Sequence, residues 1–361
     1  MFRKLPLSAI TALTLALGLI SCSGNEQVNS NSGTGEDSGA KTTSNVSEER
    51  PLVVATTSII CDLTKQVAAQ TVDLKCLVDA GQDPHTYQPK PDDRKAIEQA
   101  DLVLYGGYDF EPAIIKLVQA SSNEAPKVAI HEVAVPKPII GEKHDHSHGE
   151  HKEEKHDDHD HDHDHDHEKE EKHSEEKAPD PHVWHDAQNG VQMVEAIRSN
   201  LEKVAPDNAQ LYATNAEKVT GEIKEIDSWI KKNVATIPEN QRKLVTTHDA
   251  LSYYTQAYNI NYEGAIEALS TEAEPSAARI AELSKEIKQE NVPTIFAESI
   301  HSPKLIETLG KEANVKVSEE KLYADGLGEE GTDADSYQEM LIANTKAIVD
   351  GLGGQYTAFG K

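Results

Sequence analysis

Positive charge is scarce in this chain of 361 residues: 35 Lys and Arg stand against 63 Asp and Glu, a net charge of −28. Phosphate recognition needs a basic surface, so a nucleic-acid partner is excluded. Long apolar runs are also missing. Beyond Ile20 no stretch is apolar for long enough to cross a bilayer. Cysteine is nearly absent, with only Cys22, Cys61 and Cys76. No His-Glu-x-x-His occurs, and no Asp or Glu stands at a spacing that marks a general base. What the chain does have is histidine, 17 residues of it.

Eleven of those histidines fall within one stretch: His144, His146, His148, His151, His156, His159, His161, His163, His165, His167 and His173. Residues 141–178 also hold sixteen Asp and Glu against six Lys. With no apolar side chains to offset ordering entropy, this segment is expected to be disordered. Its imidazoles predict several weak, interchangeable metal sites.

The N-terminus reads as a targeting segment. Arg3 and Lys4 precede an apolar run, residues 5–20, too short for a typical span. Leu19-Ile20-Ser21-Cys22 resembles the lipobox of bacterial lipoproteins, which makes 1–21 a signal peptide and Cys22 the lipidated residue. Residues 22–50, rich in Ser, Gly, Asn and Thr, read as a flexible tether. Export to an oxidising compartment permits a Cys61–Cys76 disulfide; two separate buried thiols are the alternative. Neither cysteine is assigned to a metal site.

From Pro51 onward, short β-branched runs alternate with helical spacing. Strands are expected at 52–56, 74–78, 102–105 and 127–130, and helices at 59–70, 91–100 and 111–120. After residue 182 two helices follow, 188–204 and 207–234. The first rhythm then repeats, with strands at 244–247, 261–265, 294–297 and 315–317, and helices at 250–257, 276–289, 302–313 and 335–352. Alternation of this kind implies parallel βαβ units. The expected fold is therefore α/β: two Rossmann-like lobes with four-stranded parallel sheets, 51–206 and 236–361, joined by one long helix, 207–235. A single connecting strut implies limited lobe motion.

Six histidines lie outside the His-rich stretch. His85 and His182 both sit in Asp-Pro-His, and His248 directly follows a strand in Thr-Thr-His-Asp. Proline stiffens the residues around it. Ligands in parallel α/β sheets bind at the carboxyl ends of strands, so two facing lobes would gather these imidazoles in the cleft. Neutral imidazole is a favoured nitrogen ligand of Zn²⁺. His185 is expected as a solvent-facing residue at a helix start, and His131 and His301 as structural or surface residues.

Asp83-Pro84-His85-Thr86-Tyr87-Gln88-Pro89, Asp180-Pro181-His182-Val183-Trp184, Thr246-Thr247-His248-Asp249-Ala250 and Leu322-Tyr323-Ala324-Asp325-Gly326-Leu327 together resemble the metal receptors of ATP-binding-cassette importers for zinc and manganese. The likeness runs from about residue 52 to the C-terminus and is nearest the zinc branch, ZnuA-type proteins, which carry an acidic His-rich loop ahead of the second ligand. It implies His85, His182 and His248 as ligands. Manganese-type members usually have a carboxylate at the third position, so His248 favours zinc. Asp325 matches the acidic position of the C-terminal lobe, where it is a ligand, a group behind a ligand, or a neighbour. His185 departs from the apolar residue that normally follows the Trp.

The resemblance implies a monomeric, lipid-anchored extracytoplasmic receptor that captures Zn²⁺ and delivers it to an ABC-type zinc permease in the cytoplasmic membrane, with the His-rich loop as a low-affinity collector or sensor. Two other classes compete. Three histidines with an open position also suit an exported zinc hydrolase. A zinc buffer or metal-dependent adhesin would need no permease.

Overall fold

The computed structural model describes residues 50–143, 176–272 and 275–360. The expected signal segment, Cys22, residues 22–49 of the tether and the eleven loop histidines lie outside these residues.

The first lobe opens with β1 (Leu52–Ala55), α1 (Ser58–Ala68), β2 (Asp73–Cys76), α2 (Pro91–Gln99), β3 (Leu102–Tyr105), α3 (Pro112–Ala120) and β4 (Lys127–Ala129), followed by the short α4 (Ile130–Ala134). The strands form one parallel sheet in the order β2-β1-β3-β4. Period-two alternation sends their side chains to two cores. Val53, Ala55, Leu102 and Leu104 join the central core, while Val54 and Val103 pack with Ile97, Ile114 and Val118 on the outer face. Thr57 caps α1, its side chain accepting the amide of Ile60. Cys61 of α1 and Cys76 of β2 are disulfide-bonded, with Cα atoms 5.8 Å apart.

The edges of the His-rich segment differ from expectation. Residues 141–178 were expected as one irregular loop, but β5 (Ile140–Lys143) and β6 (Glu176–Pro179) pair antiparallel, with Lys143 opposite Glu176. Ladder bonds satisfy the backbone there without an apolar core.

Two helices carry the chain across: α5 (Ala187–Val204) and α6 (Ala209–Val234). In α6, Tyr212, Ala216, Val219, Ile223, Ile226 and Ile230 are buried at helical spacing. That stripe packs against α1, α5 and α10.

The second lobe comprises β7 (Lys243–His248), α7 (Ser252–Tyr258), β8 (Asn261–Glu267), α8 (Ala277–Glu290), β9 (Thr294–Ile295), α9 (Lys304–Ala313), β10 (Lys316–Val317) and α10 (Tyr337–Gly351). Where one four-stranded parallel sheet was expected, its strands form two parallel pairs, β8-β7 and β9-β10. The pairs meet through the Phe296 amide, which donates to the Val245 carbonyl at 3.0 Å. Their order across that junction repeats that of the first lobe. The ladder stops there because the Glu298 carboxylate, not a backbone carbonyl, takes the amides of Thr247 and His248.

One apolar core spans both lobes. Val53 and Leu104 belong to the same cluster as Ile223 of the strut and Leu244, Leu322 and Ile348 of the second lobe. Trp184, fully buried, sits within it.

Candidate metal centre

Each of the two Asp-Pro-His motifs folds as an Asx turn, the aspartate side chain accepting the amide two residues on. Asp83 Oδ1 accepts the His85 amide at 2.9 Å, and Asp180 Oδ1 accepts the His182 amide at 2.9 Å. Proline between them fixes φ, so each imidazole leaves the backbone in a set direction. Asp83 also ties the lobes together, since its Oδ2 accepts Thr271 Oγ1 at 2.8 Å. His248 is the last residue of β7, and Asp325 lies in the segment after β10.

These four residues converge. His85 Nε2 lies 3.4 Å from His182 Nε2 and 3.8 Å from Asp325 Oδ1. Asp325 Oδ1 is 3.2 Å from His182 Nε2 and 3.0 Å from His248 Nε2. The four donor atoms all fall within 4.8 Å of one another. A tetrahedron with metal–ligand bonds of about 2.0–2.1 Å has edges of roughly 3.3–3.4 Å. The measured separations bracket that edge. All four side chains are buried, at most 2 % exposed.

Each ring is held from behind. His182 Nδ1 donates to Asp180 Oδ1 at 2.8 Å, and His248 Nδ1 donates to Glu298 Oε2 at 2.5 Å. A proton committed to Nδ1 leaves Nε2 facing the centre, the arrangement of metal-binding imidazoles backed by carboxylates. Sequence reasoning missed Glu298. Its only signal was a carboxylate directly after an apolar strand run.

The charges are strongly coupled. Burial lowers the His85 imidazole, and the opposing pull of Asp325 does not overcome it. Burial also acts downward on His182 and His248, but Asp180 and Asp325 outweigh it at His182, and Asp325 and Glu298 outweigh it at His248, so both are held above the ordinary histidine value. Burial would raise Asp325, yet the surrounding imidazoles, His248 foremost, hold it well below the ordinary carboxylate range. A deep cluster with one carboxylate and three imidazoles is thus stabilised by positive charge, which a divalent cation supplies.

Of the three remaining histidines, His185 departs from expectation and His131 takes the structural of its two expected settings. His185 was expected to face solvent; it is fully buried, and its Nε2 donates to the Ala324 carbonyl at 2.8 Å. The tight 3₁₀ turn Val183–His185 rotates it inward against the segment that carries Asp325. His131 is fully buried beside Trp184 and Phe110 and not at the surface. His301 approaches the centre from its outer side, 3.3 Å from Glu298 Oε2 and 3.7 Å from Asp325 Oδ2.

Two α/β lobes around a buried three-imidazole, one-carboxylate cluster define a metal-binding receptor. The chain belongs to the family described as zinc-uptake complex component A, periplasmic, whose model matches residues 53–351. That is a family of binding components, not of enzymes, which sets aside the hydrolase alternative. Relatives include the metal ABC transporter substrate-binding lipoprotein SsaB of Streptococcus sanguinis, 28% identical over 306 residues, covering 83% of this chain and 88% of the relative. The manganese ABC transporter substrate-binding lipoprotein scaA of Streptococcus gordonii is 29% identical over 321 residues, covering 87% and 93%. Among solved structures, the periplasmic zinc-binding protein TroA of Treponema pallidum matches with a TM-score of 0.71 and 27% identity, over 84% of this chain and 99% of that one.

Proposed function

We propose that this protein captures Zn²⁺ outside the cytoplasmic membrane and delivers it to an ABC-type zinc permease. The observation that carries this reading is the donor set: three imidazole nitrogens and one carboxylate oxygen within 4.8 Å of one another, with Asp325 Oδ1 3.0–3.8 Å from the three Nε2 atoms. Imidazole suits zinc, and a nitrogen-rich, four-donor site disfavours Mn²⁺, which prefers oxygen and higher coordination. Several relatives are named for manganese, so the argument for zinc rests on the donors and not on the relatives.

In this reading residues 1–21 are removed, Cys22 is acylated, and 22–50 tether lobes 51–206 and 236–361 through the helix at 207–235. The relatives named as lipoproteins support the anchor. The receptor acts as a monomer, and the loop histidines collect zinc weakly.

Competition titration against a chelator of known affinity tests the assignment. The full chain is expected to hold one tightly bound Zn²⁺, and His182→Ala to weaken it by at least 100-fold. Unchanged tight binding in both His182→Ala and His85→Ala would overturn the reading.

A further inference from the structure

Asp325 turns its two oxygens to two different groups of side chains. Oδ1 faces His85, His182 and His248. Oδ2 is buried, has no hydrogen-bond partner, and lies 3.7 Å from His301 Nε2. That nitrogen is likewise unpartnered by hydrogen bonding, although Glu298 Oε2 is 3.3 Å away. His248, Glu298 and His301 offer ligating atoms that all fall within 4.8 Å of one another. Glu298 Oε2 already accepts from His248 Nδ1, but a carboxylate oxygen has a second lone pair free to bind. A further carboxylate stands close by: Glu267 is opposite His248 in the β7–β8 register, and its Oε2 is also buried without a hydrogen bond.

Exposure gives this outer group a direction. The side chains of Asp325, Glu298, His182 and His248 are 0 % exposed and that of His85 is 2 %, whereas His301 is 13 % exposed. His301 is therefore the least buried of these side chains: its Nε2 is buried against Glu298 and Asp325, while the rest of its ring reaches toward solvent. A cation leaving a closed four-donor site must exchange ligands stepwise. Unpaired donors one ligand away lower the barrier to that exchange.

We propose that Glu298 Oε2, His301 Nε2 and Asp325 Oδ2 form a loading position for Zn²⁺ on the outer side of Asp325, from which the ion passes to the buried site as Asp325 exchanges Oδ2 for Oδ1. The step is ligand exchange only; water leaves the ion and no bond of the protein breaks. This inference rests on the reading of His85, His182, His248 and Asp325 as the tight site. An intermediate position alters rates in both directions by the same factor and leaves the equilibrium constant alone. That symmetry separates a loading residue from a ligand of the tight site.

The test uses the full chain and Zn²⁺ itself. Release is followed by mixing the one-equivalent complex with excess chelator, whose rapid stripping of weak sites leaves a slow phase from the buried site. Capture is followed by mixing metal-free protein with Zn²⁺ in a weak buffering chelator. His301→Phe keeps a ring but removes the donor; His301→Cys keeps a donor. The expected result is that His301→Phe slows capture and release about tenfold each with affinity unchanged, and that His301→Cys stays near the parent rates. Parent-like rates in His301→Phe would overturn the proposal and direct entry elsewhere, such as the pocket beside His85, Tyr108 and Pro181. Faster release with lost affinity would also overturn it, by making His301 part of the tight site. His182→Ala serves as the separate control: if its slow phase persists, the tight-site reading itself fails, whatever His301 does.

Discussion

Asp180 accepts both the backbone amide and the ring Nδ1–H of His182, at 2.9 and 2.8 Å, through the same oxygen. A single buried carboxylate thus sets where the residue sits and which ring nitrogen is free. The ring is fixed before any metal arrives, so little ordering remains to be done on binding.

Asp180→Asn tests that relationship. The amide keeps the shape and can still take one donor, but loses the charge that favours an Nδ1-protonated ring. Zinc affinity is expected to fall by about 10–100-fold, the usual effect of losing a group behind a metal ligand. Chelator competition measures it, and circular dichroism checks that the fold is retained. Parent-like affinity would reduce Asp180 to a turn-forming role.

The paired ends of the His-rich segment give a clean way to remove it. Lys143 and Glu176 are directly opposite in the β5–β6 ribbon. Replacing residues 144–175 with Asn-Gly supplies the two-residue turn that closes such a pair. None of His85, His182, His248 and Asp325 lies in the excised stretch. Calorimetric titration is expected to show one tight Zn²⁺ retained and several weak ones gone. If the tight site disappears with the loop, collection and storage are not separable.

The sequence carried the fold and three imidazoles because local rules fixed both. Parallel strands buried on both faces leave short β-branched runs, and Leu102–Tyr105 coincided with the expected strand. His85 and His182 stood out because Pro and an Asx turn act within three residues. Glu298, His301 and His185 were illegible for the opposite reason. Glu298 reaches His248 across 50 residues of chain, and His185 finds Ala324 across 139. Such contacts depend on how strands dock, and no periodicity records them.

His131 makes stability sensitive to acid. It is fully buried, and neither ring nitrogen has a hydrogen-bond partner. Burial pushes the imidazole down to about 3 from its ordinary 6.5, with His182 adding to the effect. A group depressed in the folded state stabilises above its unfolded value and loses that contribution as pH falls toward the folded one. The window is therefore pH 6.5 down to about 3. The slope is about 1.4 kcal/mol per pH unit for one group. His131→Phe removes the titration while keeping a ring against Trp184 and Phe110. Thermal unfolding of metal-free protein at pH 7.5 and pH 5.0 is expected to show a smaller drop in Tm for His131→Phe than for the parent. Equal drops would mean that other groups dominate acid unfolding.

Selectivity turns on His248. Its Nε2 lies 3.0 Å from Asp325 Oδ1, and Glu298 holds the other side of its ring at 2.5 Å. A carboxylate in place of this imidazole would add negative charge and a hard oxygen with the option of two-oxygen ligation, which suits the higher coordination number of Mn²⁺. It would also face Glu298 without the ring proton that now separates them, at a cost borne by either metal. Zinc would still bind more strongly in absolute terms, because Mn²⁺ stands at the weak end of the divalent series. The prediction is accordingly relative. His248→Glu should narrow the Zn/Mn affinity ratio, and His248→Ala should weaken both metals. Competition titrations with a chelator in excess over the weak sites give both numbers. An unchanged ratio in His248→Glu, together with intact tight binding in His248→Ala, would remove His248 from the ligand set and leave the site with two imidazoles and a carboxylate.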